Sequence, residues 1–174
     1  MAKERPWRCY RDIKRPYTRR SVSVPSKDYI KGVPQPRIAQ FEMGKKGEYE
    51  CTLYLVACNH CQIRHTALEA ARMAIVKTLE KSKDDYFVKL RVYPHHVYRE
   101  NPLATGAGAD RYQQGMRLSF GKPIGTACQV KKGQKIFEVR VNSTLINVAK
   151  DALRKAKQKL PLRYKMVVEQ SKKI

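Results

Sequence analysis

The chain has 174 residues, with 37 Lys+Arg against 15 Asp+Glu, a formal net charge of +22 and a pI near 10.0. Such an excess repels itself in a compact state unless a polyanion offsets it, which points to nucleic acid as partner. Hydrophobic residues at 42% suffice for one core and exclude wholesale disorder, while five scattered cysteines speak against a secreted disulfide framework.

No run of 18 apolar residues offers a membrane span, and the opening Met-Ala-Lys-Glu-Arg-Pro lacks the apolar stretch of a secretory signal. A cytoplasmic protein without membrane contact is expected. The charge is uneven. Residues 1–40 hold 11 basic and 3 acidic side chains, residues 41–149 hold 17 and 10, and residues 150–174 hold 9 and 2.

Residues 1–36 read as an extended basic arm. Pro6, Pro16, Pro25, Pro34 and Pro36 remove backbone donors and hold their predecessors extended. Arg5, Arg8, Arg11, Lys14, Arg15, Arg19 and Arg20 alternate with Trp7, Tyr10 and Tyr17, so guanidinium–phosphate pairing and base stacking are both expected, with ordering on the partner. A single domain over 37–170 and a short basic tail at 171–174 follow.

Within the domain, Ile38–Met43 and Cys51–Ala57 flank Gly44-Lys45-Lys46-Gly47 and read as a hairpin. Thr66 with Glu69 is a capping box, and Leu68, Ala71, Ile75 and Leu79 predict a helix to about Lys81. Tyr86–Tyr93 alternates with period two, giving a half-buried strand that carries Lys89 and Arg91 on its outer face. Further strands are predicted at Met116–Phe120, Thr126–Val130, Lys135–Val141 and Tyr164–Glu169.

A second helix is predicted from Ser143 or Thr144 to Leu160, stopped by Pro161, with Lys150, Arg154 and Lys157 on one face as phosphate contacts and Lys155 and Lys159 widening it. The element order predicts an α+β two-layer sandwich of mixed or antiparallel sheet with two main helices.

Between Pro94 and Gly115 the pattern predicts one long loop, which at that length is functional or disordered. It carries Gly106, Gly108, Asp110, Arg111 and Gly115, with Arg99 at its base and Arg117 and Lys122 just beyond, and reads as a finger reaching into a nucleic-acid surface or a moving ligand. Gly106-x-Gly108-x-x-Arg111 lacks the third glycine of a dinucleotide fingerprint. His95-His96 has only Glu100 as a nearby carboxylate. Cys58-x-x-Cys61 with His65 is half of a zinc site without a second half, so it is a weak metal candidate. No catalytic residue and no cofactor are expected.

Several blocks, in order, carry a family resemblance. They are Arg5-Pro6-Trp7-Arg8-Cys9-Tyr10-Arg11, Gly32-Val33-Pro34, Ala67-Leu68-Glu69-Ala70-Ala71-Arg72 and His96-Val97-Tyr98-Arg99, then Ala107-Gly108-Ala109-Asp110-Arg111 and Gly115-Met116-Arg117, and finally Gly121-Lys122-Pro123-Ile124-Gly125-Thr126 and Ala152-Leu153-Arg154-Lys155-Ala156. The chain resembles the archaeal and eukaryotic ten-e type of the universal large-subunit ribosomal protein whose bacterial relative is protein sixteen.

The resemblance implies a structural protein of the large ribosomal subunit, seated on rRNA between the peptidyl-transferase region and the factor-binding side. It implies a loop near the tRNA acceptor ends that supports translation, with Arg99 at the loop's base tied to correct function. It also implies neighbouring ribosomal proteins and late subunit-assembly factors as partners. No role transfers to Cys58 and Cys61, where eukaryotic members carry a variable stretch. The alternative is a free-standing RNA-binding regulator or RNA-modification factor.

Overall fold

A computed structural model describes residues 4–12, 24, 30–82, 86–104 and 106–170. Lys14, Arg15, Arg19, Arg20 and the tail 171–174 lie outside the described residues.

Among the described residues, ten strands and α-helices follow one another: β1 (Glu42–Gly44), β2 (Cys51–Ala57), β3 (Cys61–Arg64), α1 (His65–Leu79), β4 (Tyr86–Leu90), β5 (His96–Glu100), β6 (Lys122–Val130), β7 (Lys135–Val141), α2 (Ile146–Lys157) and β8 (Tyr164–Gln170). They build two antiparallel sheets, β1-β4-β7-β2-β8 and β3-β6-β5. The expected α+β architecture holds, with purely antiparallel pairing and a second small sheet.

Alternation sets the large sheet's inner face. Leu53 of β2 lies opposite Val139 and Val168, and Leu55 opposite Phe137 and Met166. Leu53, Leu55, Phe137 and Val139 are fully buried beneath Leu68 and Ile75 of α1 and Leu153 of α2. Ala149, Ala152 and Ala156 line the buried stripe of α2, and their small side chains let the helices pack closely on each other and on the sheet. Burying one such leucine contributes about 1.5–3 kcal/mol, so this layer carries the domain's stability.

The expected hairpin does not form. β1 pairs with β4 (Met43 opposite Val88), and β2 sits between β7 and β8. Gly44 at φ 82° passes so close to β4 that a Cβ would strike the Tyr86 carbonyl, and Lys45 N donates to that oxygen at 3.0 Å. Close approach to β4, rather than a turn to β2, is what this glycine serves.

The capping box does not form either. β3 runs straight into α1, Arg64 takes the N-cap position without a side-chain cap, and the Glu69 carboxylate is engaged by Arg72 and by Ala39 N at 3.3 Å. β3 itself lies where no strand was predicted; Cys61 and Ile63 point into the core.

The expected loop contains β5, whose Val97 and Tyr98 are buried. The strand predicted at Met116–Phe120 is absent. Gly115–Leu118 is a 3-10 turn, with Gly115 at φ 56° and Gly121 at φ 74° reversing the chain on either side, while β3 and β5 already occupy both edges of β6. Met116, Leu118 and Phe120 are therefore exposed.

Candidate nucleic-acid interface

The candidate residues fall on four surfaces. On the outer face of the large sheet, the cations are engaged from within. Lys89 and Lys46 share Glu42 at 2.7 and 2.6 Å, and Arg91 and Arg140 share Glu138, each at 2.6 Å. Lys135 reaches Glu169 at 3.0 Å with its Nζ over the Tyr54 ring. Burial would raise the Glu138 carboxyl, but Arg91 and Arg140 outweigh it and hold the pKa below its ordinary value. Lys46 and Lys89 bring Glu42 down to about 2. Lys89 and Arg91 thus stabilise the sheet, each already paired with a carboxylate that it shares with a second cation.

The second surface is the arm. Residues 4–12 lie on the small sheet. Tyr10 is buried against Tyr98 (ring centroids 4.9 Å apart) and donates its hydroxyl to Glu100 Oε1 at 2.5 Å, while Arg5 Nε meets Glu100 Oε2 at 2.9 Å. Glu4 accepts from the Tyr98 hydroxyl at 3.1 Å and from Arg64 at 2.8 Å, and Gln62 N donates to Arg11 O at 2.7 Å.

The start of the arm, expected to order on its partner, thus has contacts within the chain itself. The expected stacking of Tyr10 on a base is corrected, because its ring fills the small core and burial with the Glu100 hydrogen bond pushes its hydroxyl up to about 12. Arg8 and Trp7 remain exposed, and Arg11 lies over the Trp7 ring.

The third surface joins α2 to three turns. Lys150, Arg154 and Lys157 are exposed on α2, and Asp151 approaches Arg154 at 3.6 Å. Backbone bonds then tie the turn after β2 to its neighbours: Gly133 N to Ala57 O at 2.8 Å, Ala57 N to Gln134 O at 3.0 Å and Cys58 N to Arg163 O at 3.1 Å. Lys131, Lys132, Lys159, Arg163 and Lys165 are exposed there. The segments 57–68, 129–137 and 155–168 contain no Asp or Glu. Sequence patterns did not reveal this pole. The acid-free runs are visible in the chain, but not that the fold gathers them at one end.

The fourth surface is the loop after β5. Gln113 clamps its base, accepting from Ala104 N at 2.5 Å and donating to Pro102 O at 2.6 Å. Gly106 and Gly108 take positive φ, Ala109–Arg111 forms a 3-10 turn that contains Asp110, and Arg111, Tyr112, Arg117 and Lys122 are exposed. Arg99 lies at the foot of the loop, its guanidinium over the Phe120 ring at 3.3 Å and its Nη1 donating to Phe120 O at 2.7 Å.

The metal candidates are not brought together. Cys61 faces the core beside the Tyr164 hydroxyl at 3.6 Å with its thiol pKa raised by burial, and His65 Nδ1 accepts from Arg37 N at 2.9 Å. Among the described residues no group of three or more His, Cys, Asp or Glu is arranged to hold a metal. His95 lies tilted against the Tyr93 ring while the half-buried His96 faces a neighbouring cleft, so this pair diverges.

An α+β body with an acid-free basic pole, an exposed lysine face on α2 and a clamped loop has the charge distribution of the class of proteins that bind polyanions. No helix among the described residues is long and apolar enough to cross a membrane. Residues 13–167 match the family described as ribosomal protein L16p/L10e, and the chain belongs to that family.

Among its relatives are proteins named large ribosomal subunit protein uL16. That of Staphylothermus marinus is 52% identical over 167 residues, covering 94% of this chain and 92% of the relative. Those of Methanococcus maripaludis and Sulfolobus acidocaldarius are 45% and 47% identical, covering 98% and 94% of this chain and 96% and 93% of theirs. As a member of this family the chain is a structural ribosomal protein, not an enzyme.

Proposed function

We propose that the chain is a structural constituent of the large ribosomal subunit, bound to large-subunit rRNA between the peptidyl-transferase region and the factor-binding side. The acid-free pole at 131–132 and 159–165, continuous with the lysine face of α2, carries this reading. Its cations are exposed and, unlike those on the sheet, are not paired with carboxylates among the described residues, so each can neutralise a phosphate and release counterions. Arg8, Arg11 and Trp7 add a second grip from the arm. The clamped loop, with Arg111, Tyr112 and Arg117 outward, extends toward the tRNA acceptor ends and supports translation. Neighbouring ribosomal proteins and late assembly factors complete its surroundings.

Sucrose-gradient sedimentation of cell extract containing the tagged chain tests the reading. The chain should track the large subunit stoichiometrically and stay there at moderately high salt. A chain found at the top of the gradient would instead be a free-standing RNA-binding protein.

A further inference from the structure

Where the arm, β5 and the 115–120 turn meet, a cleft of about 340 Å³ opens, walled in part by Gln62, His96, Arg99, Asn101, Ser119 and Phe120. That volume is within the range of small-ligand sites, about 300–1,000 Å³. In a chain of charge +22 its lining is electrically balanced. Arg5 and Arg99 stand against Asp12 and Glu100, with Arg5 engaged by Glu100 and Arg99 by the Phe120 carbonyl. Each arginine of the lining thus already has a partner within the protein.

What the cleft offers is flat and neutral. The Arg99 guanidinium and the Phe120 ring form a ready stack, and Phe120 is 71% exposed. Around it are groups that hydrogen-bond without charge. Burial lowers the pKa of His96, so at neutral pH its imidazole presents one donor and one acceptor. Gln62 accepts from Gln129 through Oε1, which leaves its own NH2 to donate. Asn101 and Ser119 complete the polar rim.

The geometry is fixed in advance. A Cβ at Gly121 would strike the Glu100 backbone at 2.7–2.8 Å, so the 115–120 turn is drawn tightly onto the end of β5. RNA is read at unpaired bases, by stacking on aromatic or guanidinium planes and by hydrogen bonds to their edges.

We infer that this cleft receives one unpaired nucleobase of the large-subunit rRNA, stacked on the Arg99–Phe120 pair with its edge held by Gln62, His96 and Asn101. The inference rests on the rRNA reading above and adds a base-specific contact to the phosphate contacts of the basic pole.

Base-specific probing of purified large subunits with dimethyl sulfate and carbodiimide tests it. Subunits from cells expressing the wild-type chain or Phe120→Ala are compared, with incorporation measured on gradients. Losing one base–aromatic stack should raise the reactivity of one or two rRNA bases about tenfold, with Phe120→Tyr restoring protection. An unchanged footprint in subunits containing Phe120→Ala overturns the inference, as does a change spread along many phosphates. Should Phe120→Ala lower incorporation, Asn101→Ala, probed in the same way, decides by the same criterion. Failure of the wild-type chain to sediment with the large subunit would instead overturn the parent reading.

Discussion

Glu138 is a fully buried carboxylate held between two partly exposed arginines on the outer face of the sheet. Because Arg91 and Arg140 keep its pKa below the ordinary 4.5, its contribution is fully present above that value and is lost as pH falls through the lower native pKa. Glu138→Gln should destabilise the domain by about 1–3 kcal/mol at neutral pH, since it removes two charge-assisted pairs and leaves two arginines facing each other. Urea unfolding at pH 7 and pH 3 checks this. The stability gap between wild type and variant should shrink at the lower pH, and a constant gap would remove the titration from Glu138. The same scale explains Gly125, which faces the Tyr98 hydroxyl so closely that no Cβ fits. Alternation in β4 announced Lys89 and Arg91 as outward cations, but their engagement by Glu42 and Glu138, 47 residues away in each case, is a product of strand register.

Among the elements, β2, β7 and the core stripes of both helices were legible because a strong period specifies each of them. β3 and β5 were not. Four or five residues bounded by Cys-Asn-His or by His-His carry too short a pattern, and only pairing with β6 makes them strands. Met116–Phe120 shows the reverse: it alternates, yet both sides of β6, the strand it leads into, are already taken by β3 and β5. The loop is shorter than its composition suggests, since β5 takes its first third and Gln113 clamps the remainder. That clamp brings residues 104 and 113 together, so Gly106–Tyr112 can be replaced by a short glycine linker without disturbing β5 or β6. Large subunits carrying this replacement should assemble and sediment normally but translate several-fold more slowly, because Arg111 and Tyr112 no longer reach phosphates and bases. Wild-type elongation rates from such subunits would remove the loop from the tRNA path.

Across the whole molecule, the excess charge divides into two populations. On the sheet its cations are paired with Glu42, Glu138 and Glu169; at the pole of turns and on α2 they are almost unopposed. Replacing Lys131, Lys132 and Arg163 by Gln should therefore lower the salt slope of rRNA-fragment binding by up to about 0.7–0.9 for each phosphate that is no longer neutralised. Replacing Lys89 and Arg91 by Gln should leave that slope nearly unchanged and lower stability instead. Anisotropy titrations across a salt series, with urea unfolding of the same variants, measure both, and equal slopes for the two sets would refute the division.

Composition and period by themselves determined a basic α+β body suited to a polyanion, its helices and long strands, and the blocks that resemble a ribosomal family. Those properties are local or additive: charge sums along the chain, and apolar spacing sets which face of an element is buried. Tertiary structure alone decided which cations stay available to RNA, that Tyr10 belongs to a small core, and that three acid-free turns form one pole. It also placed Arg99 and Phe120 beside a charge-balanced cleft. Each depends on contacts between residues far apart in sequence, where pairing register and packing decide which partner a side chain meets.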